Sequence, residues 1–527
     1  MKKIYLSLML LGAVTFTSCD MDKFPYGSLD ENTAVSEMQD LTKFRDQLYG
    51  TLRGVTAGSW VYTTDIQLDH FIGLVTNGNI LGMFSTGTIL PTDGDIEGFW
   101  ASSYSSIATC NAILAKCDEF AAKPDLSESD KQLVERYKGE AKFTRAYMYL
   151  WLADHFCQSY TQVKGGPEAK ATGLPIVTTY NPTSDVTKYP SRSTLKETFD
   201  LINSDLSEAY TALKAYEATN NKDVAALLQP CAIYLSSYAV EALQARVALL
   251  TGDWATAKAK AEDVIENGNY SLANTSNYKE MWEDENSSEP IFRPFMSSPS
   301  EIGGSTGGLF LSDNQKSAQY IPTFATVLSY ADSEKGSDVR FEAFFTEYEN
   351  IDIDGEGFDS YVFNKYPGND ALKVGQTKNF VNMMKPLRLS EMYLISAEAD
   401  ARLGNNNPAR LNEFCANRYS GYETKTYENV RELLDDVLEE RNKEFIGEGM
   451  RWSDLRRLNI GFQRYKSNPD EDGYPIYSQV VLSADGIVYD AGDHRLTWPI
   501  PKGELRRKAE GLQDRHSPLC PCRGNQR

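Results

Sequence analysis

The sequence predicts a mostly α protein: a scaffold of degenerate helical repeats that carries long irregular loops and a few short strands. Three observations lead there. Apolar residues recur at helical spacing in several separate stretches. Two helix pairs place small residues where their helices cross. Two long segments, Thr56 to Phe99 and Tyr278 to Lys385, hold no sustained period.

The chain begins with a targeting pattern. Lys2 and Lys3 precede an apolar run, Ile4 to Val14, that is too short to span a bilayer. Phe16-Thr17-Ser18-Cys19 follows and resembles a bacterial lipoprotein lipobox. That resemblance implies a signal peptide over 1–18 and lipidation of Cys19, with Met21 to Asn32 as part of a polar tether over 19–32. Several acyl chains at about 0.8 kcal/mol per buried methylene would anchor the protein stably. Asp20 and Asp22 after the cysteine resemble a surface-export signal of Bacteroidota. The expected location is therefore the outer face of the outer membrane.

Helices follow in order. Met38 to Arg53 places Leu41, Phe44, Leu48 and Leu52 on one face. Trp100 to Phe120 repeats the pattern through Tyr104, Ile107 and Leu114, and Leu133 to His155 through Phe143, Tyr147, Leu150 and Trp151. Gly165 to Pro190 reads as a Pro- and Gly-bearing loop with a short strand at Leu174 to Val177. Beyond Ser193 a helix runs through Leu195, Phe199, Ile202 and Leu206. The pairs over 236–266 and 388–418 have the geometry of tetratricopeptide repeats. Ala242, Ala245, Ala257 and Ala261 let two helices approach closely, and Gly252 and Gly404 turn the chain. The repeats are interrupted, which favours a decorated scaffold over a plain solenoid. The expected division is 33–235 and 236–527, with the tail 509–527 unassigned.

The most informative stretch is Val430 to Asn459. Val430, Leu433, Leu434, Val437, Leu438 and Phe445 form one helical face, and Gly447 and Gly449 then break the helix. Acidic and basic residues interleave here: Glu440, Arg441, Glu444, Glu448, Arg451, Asp454 and Arg457. A general acid and base pair at Glu440 and Glu444 is one reading. An ion-pair network in which Arg forks clamp carboxylates is the better one, since so many guanidinium groups would neutralise a catalytic carboxylate.

These residues match an E-R-x-x-E-F…E-G-x-R-x-x-D-L-x-R pattern and so resemble the end of the SusD/RagB family of outer-membrane nutrient-binding lipoproteins. Further resemblances lie at Trp100-Tyr104-Ile107-Asn111, at Arg145-Ala146-Tyr147-Tyr149, at Asp338-Arg340-Phe341, and at Pro499-Ile500-Pro501-Glu504. After Glu504 the chain departs from the family's usual ending, with Cys520 and Cys522 in a basic tail. The resemblance implies a non-catalytic surface protein that captures a nutrient, most often an oligosaccharide. It also implies delivery to a SusC-like TonB-dependent barrel transporter, over which the protein acts as a lid.

Composition agrees with that class. A net charge of −21 argues against nucleic acid, whose phosphates it would repel. The four histidines show no metal-ligand spacing, and Asp352, Asp354 and Glu356 lack the length and terminal Glu of an EF-hand loop. No metal or cofactor is expected. Sugar rings stack C–H faces on aromatic side chains and need donors and acceptors for their hydroxyls. The candidates in the two irregular segments are Trp60, Tyr62, Asn77, Asn79, Phe310 and Tyr320. The alternatives are a surface glycoside hydrolase using a pair such as Asp65 and Asp93, or a repeat scaffold that binds only protein.

Overall fold

A computed structural model describes residues 35–74, 80–183, 185–297, 301, 306–312, 317–331, 333–353, 356–372, 380–464 and 487–507. Cys19, the leader and tether, Asn77, Asn79, Asp354 and the tail 509–527 lie outside them. The chain divides into two compact units, Met1–Phe44 and Arg45–Arg527. The described part of the first is the start of helix α1 (Met38–Val55). All sites below belong to the second.

The architecture is mostly α. After α2 (Ser59–Gln67) come α3 (Gly94–Ala121), α4 (Glu128–Phe156) and α5 (Leu195–Glu217). Then follow α6 (Ser237–Thr251), α7 (Trp254–Asn267), α8 (Leu389–Arg402), α9 (Ala409–Ala416), α10 (Val430–Glu444) and α11 (Met450–Leu458). From α3 to α8 each helix packs against the next, and α8 then takes α9 and α10. The starts are set locally. Thr194 and Glu197 form a reciprocal capping box on α5, and Asn429 accepts from the amides of Arg431 and Glu432 on α10. Asp253 caps α7 directly after Gly252, whose φ of 78° ends α6 in the left-handed conformation. Ala242, Ala245, Ala257 and Ala261 are fully buried, which is what close crossings of these helices require.

Strands are short and paired two by two among the described residues. Phe71–Gly73 runs antiparallel to Tyr320–Pro322, Pro290–Phe292 to Leu387–Arg388, and Phe345–Ile353 forms a hairpin with Glu356–Phe363. Asp352 and Glu356 therefore sit on the two arms of that hairpin. The strand expected at Leu174 to Val177 does not form a ladder; only Pro175 bridges Arg192. Proline has no N–H to give, and Val177 bonds through both its N–H and its C=O to Tyr149 and Asn111 side chains. The segment Thr56 to Phe99, read as irregular, contains α2 and a short helix at Gly82–Thr86. α2 hides from periodicity because its buried positions include the polar Thr63, Thr64, Asp65 and Gln67, while the aromatic Trp60 and Tyr62 stay half-buried.

The interleaved charges of α10 form a buried network. Glu444 accepts from Arg388 at 2.8 Å, from Arg418 at 2.9 and 3.1 Å and from the Tyr278 hydroxyl at 3.1 Å. Glu440 accepts from Arg340 at 2.7 Å, from Lys335 at 2.6 Å and from Tyr419 at 2.6 Å. Arg388 also reaches Glu289 at 2.6 Å and Glu448 at 2.7 Å. Burial would raise the Glu440 carboxyl, but Arg340, Lys335 and Lys443 overcome it and hold the group down at about 2. Glu444 is held down in the same way against burial by Arg418 and Arg388. Both carboxylates are thus ionised, buried and taken up by basic side chains, the arrangement of a structural ion-pair network.

Glu440 supplies stability that is whole above its ordinary value of 4.5 and drains away as pH falls towards about 2. Glu444→Gln leaves Arg388 and Arg418 buried with less compensating charge, for an expected loss of about 3–5 kcal/mol. Urea unfolding at pH 7 and pH 3.5 checks both points. An unchanged midpoint in the variant at pH 7 would show the network to be dispensable.

Candidate functional site

The two irregular segments meet at one joint. Phe71–Gly73 pairs with Tyr320–Pro322 in the register Phe71 to Pro322 and Gly73 to Tyr320. Beneath it the Phe310 ring lies 4.7 Å from Phe71, 4.9 Å from Phe363 and 6.4 Å from Tyr62. The Tyr320 hydroxyl donates to the Ile80 carbonyl at 2.7 Å, and the bare Cα of Gly73 makes room for the Tyr320 ring. Arg464 locks this region from below. Its guanidinium donates to the carbonyls of Ile66 at 2.8 Å, Leu68 at 2.9 Å, Phe71 at 3.2 Å and Ser85. Burial lowers its pKa to about 10. So the end of α2, the first strand and the helix Gly82–Thr86 hang on one side chain.

The aromatic candidates separate by depth. Phe310 and Tyr320 are buried, 0% and 2% exposed, so in this arrangement neither ring offers a face to a ligand. Loop composition pointed to open aromatic platforms. The β pairing and the Phe71, Phe310 and Phe363 cluster instead turn these two rings inward. Trp60 and Tyr62, on α2, stay half-buried. Trp60 packs 4.5 Å from Trp151 and 5.0 Å from Phe99, and its ring borders a small pocket of about 100 Å³ shared with Tyr147, Asp154, His155 and Arg246. At the joint's rim Ile80 and Met83 stand out, 47% and 39% exposed. Asn77 and Asn79 belong to the same stretch of sequence but lie outside the described residues.

The charges around this surface are mostly internal. Asp65 is fully buried on α2, and its Oδ2 accepts from the Gly449 amide at 2.9 Å. Burial raises its pKa to about 7. Asp93, its suggested catalytic partner, is buried just ahead of α3 and also raised by burial, with the Asp95 carboxylate adding to it. Neither borders the pocket at Trp60. His155 is stacked 3.9 Å from Trp151, with Nδ1 at 2.6 Å from the Trp151 carbonyl, and burial lowers it to about 4. Arg464 and Trp151, which shape the site, were not singled out as site residues. Their local sequence does not show it, because the partners that bring them to the site, Trp60 and Phe99 for Trp151 and the carbonyls of Ile66, Leu68, Phe71 and Ser85 for Arg464, come from distant segments.

A buried ring and a platform respond differently to truncation. Phe310→Ala is expected to cost about 3–5 kcal/mol of stability, the range for a buried aromatic. Tyr320→Phe removes one hydrogen bond and costs about 1 kcal/mol. Denaturant midpoints of the two variants decide this. A Phe310→Ala change within about ±0.5 kcal/mol would place that ring at the surface after all.

Comparison with known proteins follows the same outline. A family model described as "SusD family" matches residues 343–514, and one described as "Starch-binding associating with outer membrane" matches residues 28–235. No curated protein sequence matches the chain. Among solved structures, a SusD superfamily protein from Bacteroides thetaiotaomicron is similar at 24% identity and TM-score 0.72, covering 89% of this chain and 98% of that one. A SusD-like carbohydrate binding protein from Bacteroides vulgatus is similar at 17% identity and TM-score 0.67, covering 90% and 96%. A surface glycan-binding protein A from Bacteroides fluxus is similar at 18% identity and TM-score 0.63, covering 91% and 98%. These three share the fold.

Proposed function

We propose that this chain, which belongs to the SusD family, binds carbohydrate at the outer membrane and passes it to a partner transporter. The observation that carries the reading is the match of residues 28–235 to a model described as starch-binding and associated with the outer membrane. Glycan- and carbohydrate-binding proteins among the structural neighbours support it. We assign the glycan to the surface over the joint. Trp60 and Tyr62 supply ring faces, and Phe310 and Tyr320 serve as the buried support; Asn77 and Asn79, which lie outside the described residues, are the candidate amide donors and acceptors from the same segment of sequence.

The protein acts by binding, without catalysis. The carboxylate pair in its most distinctive motif is neutralised by arginine and lysine, and Asp65 is fully buried with its Oδ2 on the Gly449 amide. The leader and Cys19 make it a lipid-anchored protein of the cell surface, and no described helix is long and apolar enough to cross a membrane. Its partner is a SusC-like TonB-dependent barrel, for which the protein serves as the capturing lid.

The purified full chain is expected to be retarded in an affinity gel containing one class of polysaccharide. Trp60→Ala or Tyr62→Ala weakens that retention by the equivalent of about 0.5–1.5 kcal/mol, the worth of one aromatic contact. No retardation in starch, fructan, xylan, mannan or mucin gels would overturn the carbohydrate reading, as would release of labelled sugar by the purified protein. In cells, Cys19→Ser is expected to move the protein from the membrane to the soluble fraction. A protein that stays with the membrane regardless would refute lipid anchoring at that residue.

A further inference from the structure

A larger, ligand-sized space lies on the other side of α3. Phe99 faces Trp60, while its neighbour Trp100 packs 5.0 Å from Phe156 and 5.1 Å from Tyr104 and borders a cleft of about 630 Å³. Ligand pockets run to about 300–1,000 Å³. One wall is a stripe of α3: Glu97, Trp100, Ala101, Tyr104 and Ala108, with the two alanines leaving a trough beside the paired rings. The opposite wall is the loop 175–190, and Pro501 and Glu504 border the cleft as well. No residue of this lining borders the pocket at Trp60, and none belongs to the joint.

The loop wall has no ladder of its own, yet its first residues, Pro175 to Thr178, are held by side chains from two helices, α3 and α4. Tyr104 donates to the Pro175 carbonyl at 2.9 Å, and Asn111 to the Val177 carbonyl at 3.1 Å. Tyr149 accepts from the Val177 amide at 2.7 Å. Arg145 donates to the Thr178 carbonyl at 3.2 Å while its other nitrogens grip Asp205 at 2.7 and 2.8 Å. A buried ion pair with a side-chain amide bond to Asn111 at 2.7 Å is thus committed to shaping one exposed loop. The motif residues Trp100, Tyr104, Asn111, Arg145 and Tyr149, which gave the sequence its resemblance, are the frame of this cleft. A wall ordered in advance loses little entropy when a ligand docks.

The lining selects among ligand classes. An extended peptide would need free strand edges, but Pro175, Pro182 and Pro190 lack N–H groups and Val177 is already bonded on both sides. A lipid would need a dry rim, whereas Thr178, Thr179 and Asn181 stand exposed along the loop. The part of the buried Trp100 ring that borders the cleft and the half-buried Tyr104 ring on one side, with hydroxyl and amide groups on the other, suit a sugar. Glu97 and Glu504 outnumber Lys188, and the chain carries −21, so uronates and sulfated sugars are repelled.

We propose that this cleft is a second glycan site, separate from the joint, that takes two or three residues of an uncharged oligosaccharide. It rests on the carbohydrate-binding reading above, and the experiment separates the two. The purified full chain is titrated by calorimetry with maltotriose, xylotriose, mannotriose and N-acetylchitotriose, and with trigalacturonate as the anionic counterpart. At least one neutral trisaccharide is expected to bind and to keep its affinity in Trp60→Ala. Ala101→Trp, an exposed position whose new ring fills the trough, is expected to lower that affinity about tenfold or more, and Asn181→Ala to lower it about threefold. Should Ala101→Trp fail to fold, Ala108→Trp blocks the same stripe. Affinity lost in Trp60→Ala but untouched by Ala101→Trp and Asn181→Ala would overturn the second site and leave the first standing. Trigalacturonate binding as tightly as the neutral sugars would overturn the charge argument and with it the proposal. A protein that binds none of the five, yet is retarded by polysaccharide gels, also overturns the cleft alone; failure in both assays removes the carbohydrate reading itself.

Discussion

Glu444 sits at the end of α10 with three guanidinium groups, those of Arg388, Arg418 and Arg340, a tyrosine hydroxyl and no water-facing surface. Removing either side of such a contact strands a charge in a low-dielectric interior, so its members can exist only together. Glu289 links Arg388 and Arg418 again. Through Glu440 the same cluster reaches Arg340, Lys335 and Tyr419. Segments with no helical period of their own are pinned to the C-terminal helices by charge, where a repeat protein would use only apolar faces.

That pinning continues toward α2 and the joint. Gly447 and Gly449 turn the chain between α10 and α11 with φ of 74° and 76°, and the Gly449 amide binds Asp65 on α2. Lys365 donates to the carbonyls of Glu444 and Ile446 and to Glu448 at 2.6 Å. Arg451 holds Asp69 at 2.7 Å, just before the first strand of the joint. The helix that bears Trp60 and Tyr62 is thus tied to a motif almost four hundred residues away in the chain. Binding sites on irregular segments need such fixed support, because a loop ordered only by the ligand spends affinity on its own ordering.

α3 plays the same part on the other side. Its Phe99 face belongs to the cluster of Trp60, Trp151 and Trp498, while its Trp100 face frames the cleft. One rigid helix with two differently used faces keeps the two surfaces in register while sharing no lining residue between them.

Periodicity and charge interleaving are local properties, and the features that depend on them were legible in the sequence. The helix pairs with alanine at their crossings, the glycines that stop helices, and the reading of Glu440 and Glu444 as clamped ions all follow from spacing within a few turns. α2 shows no period because its buried positions include the polar Thr63, Thr64, Asp65 and Gln67 while Trp60 and Tyr62 stay half-buried, and no strand ladder forms at Leu174 to Val177 because Tyr149 and Asn111 take the Val177 hydrogen bonds. Depth was decided only by the tertiary structure. Phe310 and Tyr320 look like exposed loop aromatics until Phe71, Phe363 and the Ile80 carbonyl arrive from elsewhere to cover them. Which aromatic faces a ligand depends on contacts across hundreds of residues, and those contacts leave no trace in the spacing of any one segment.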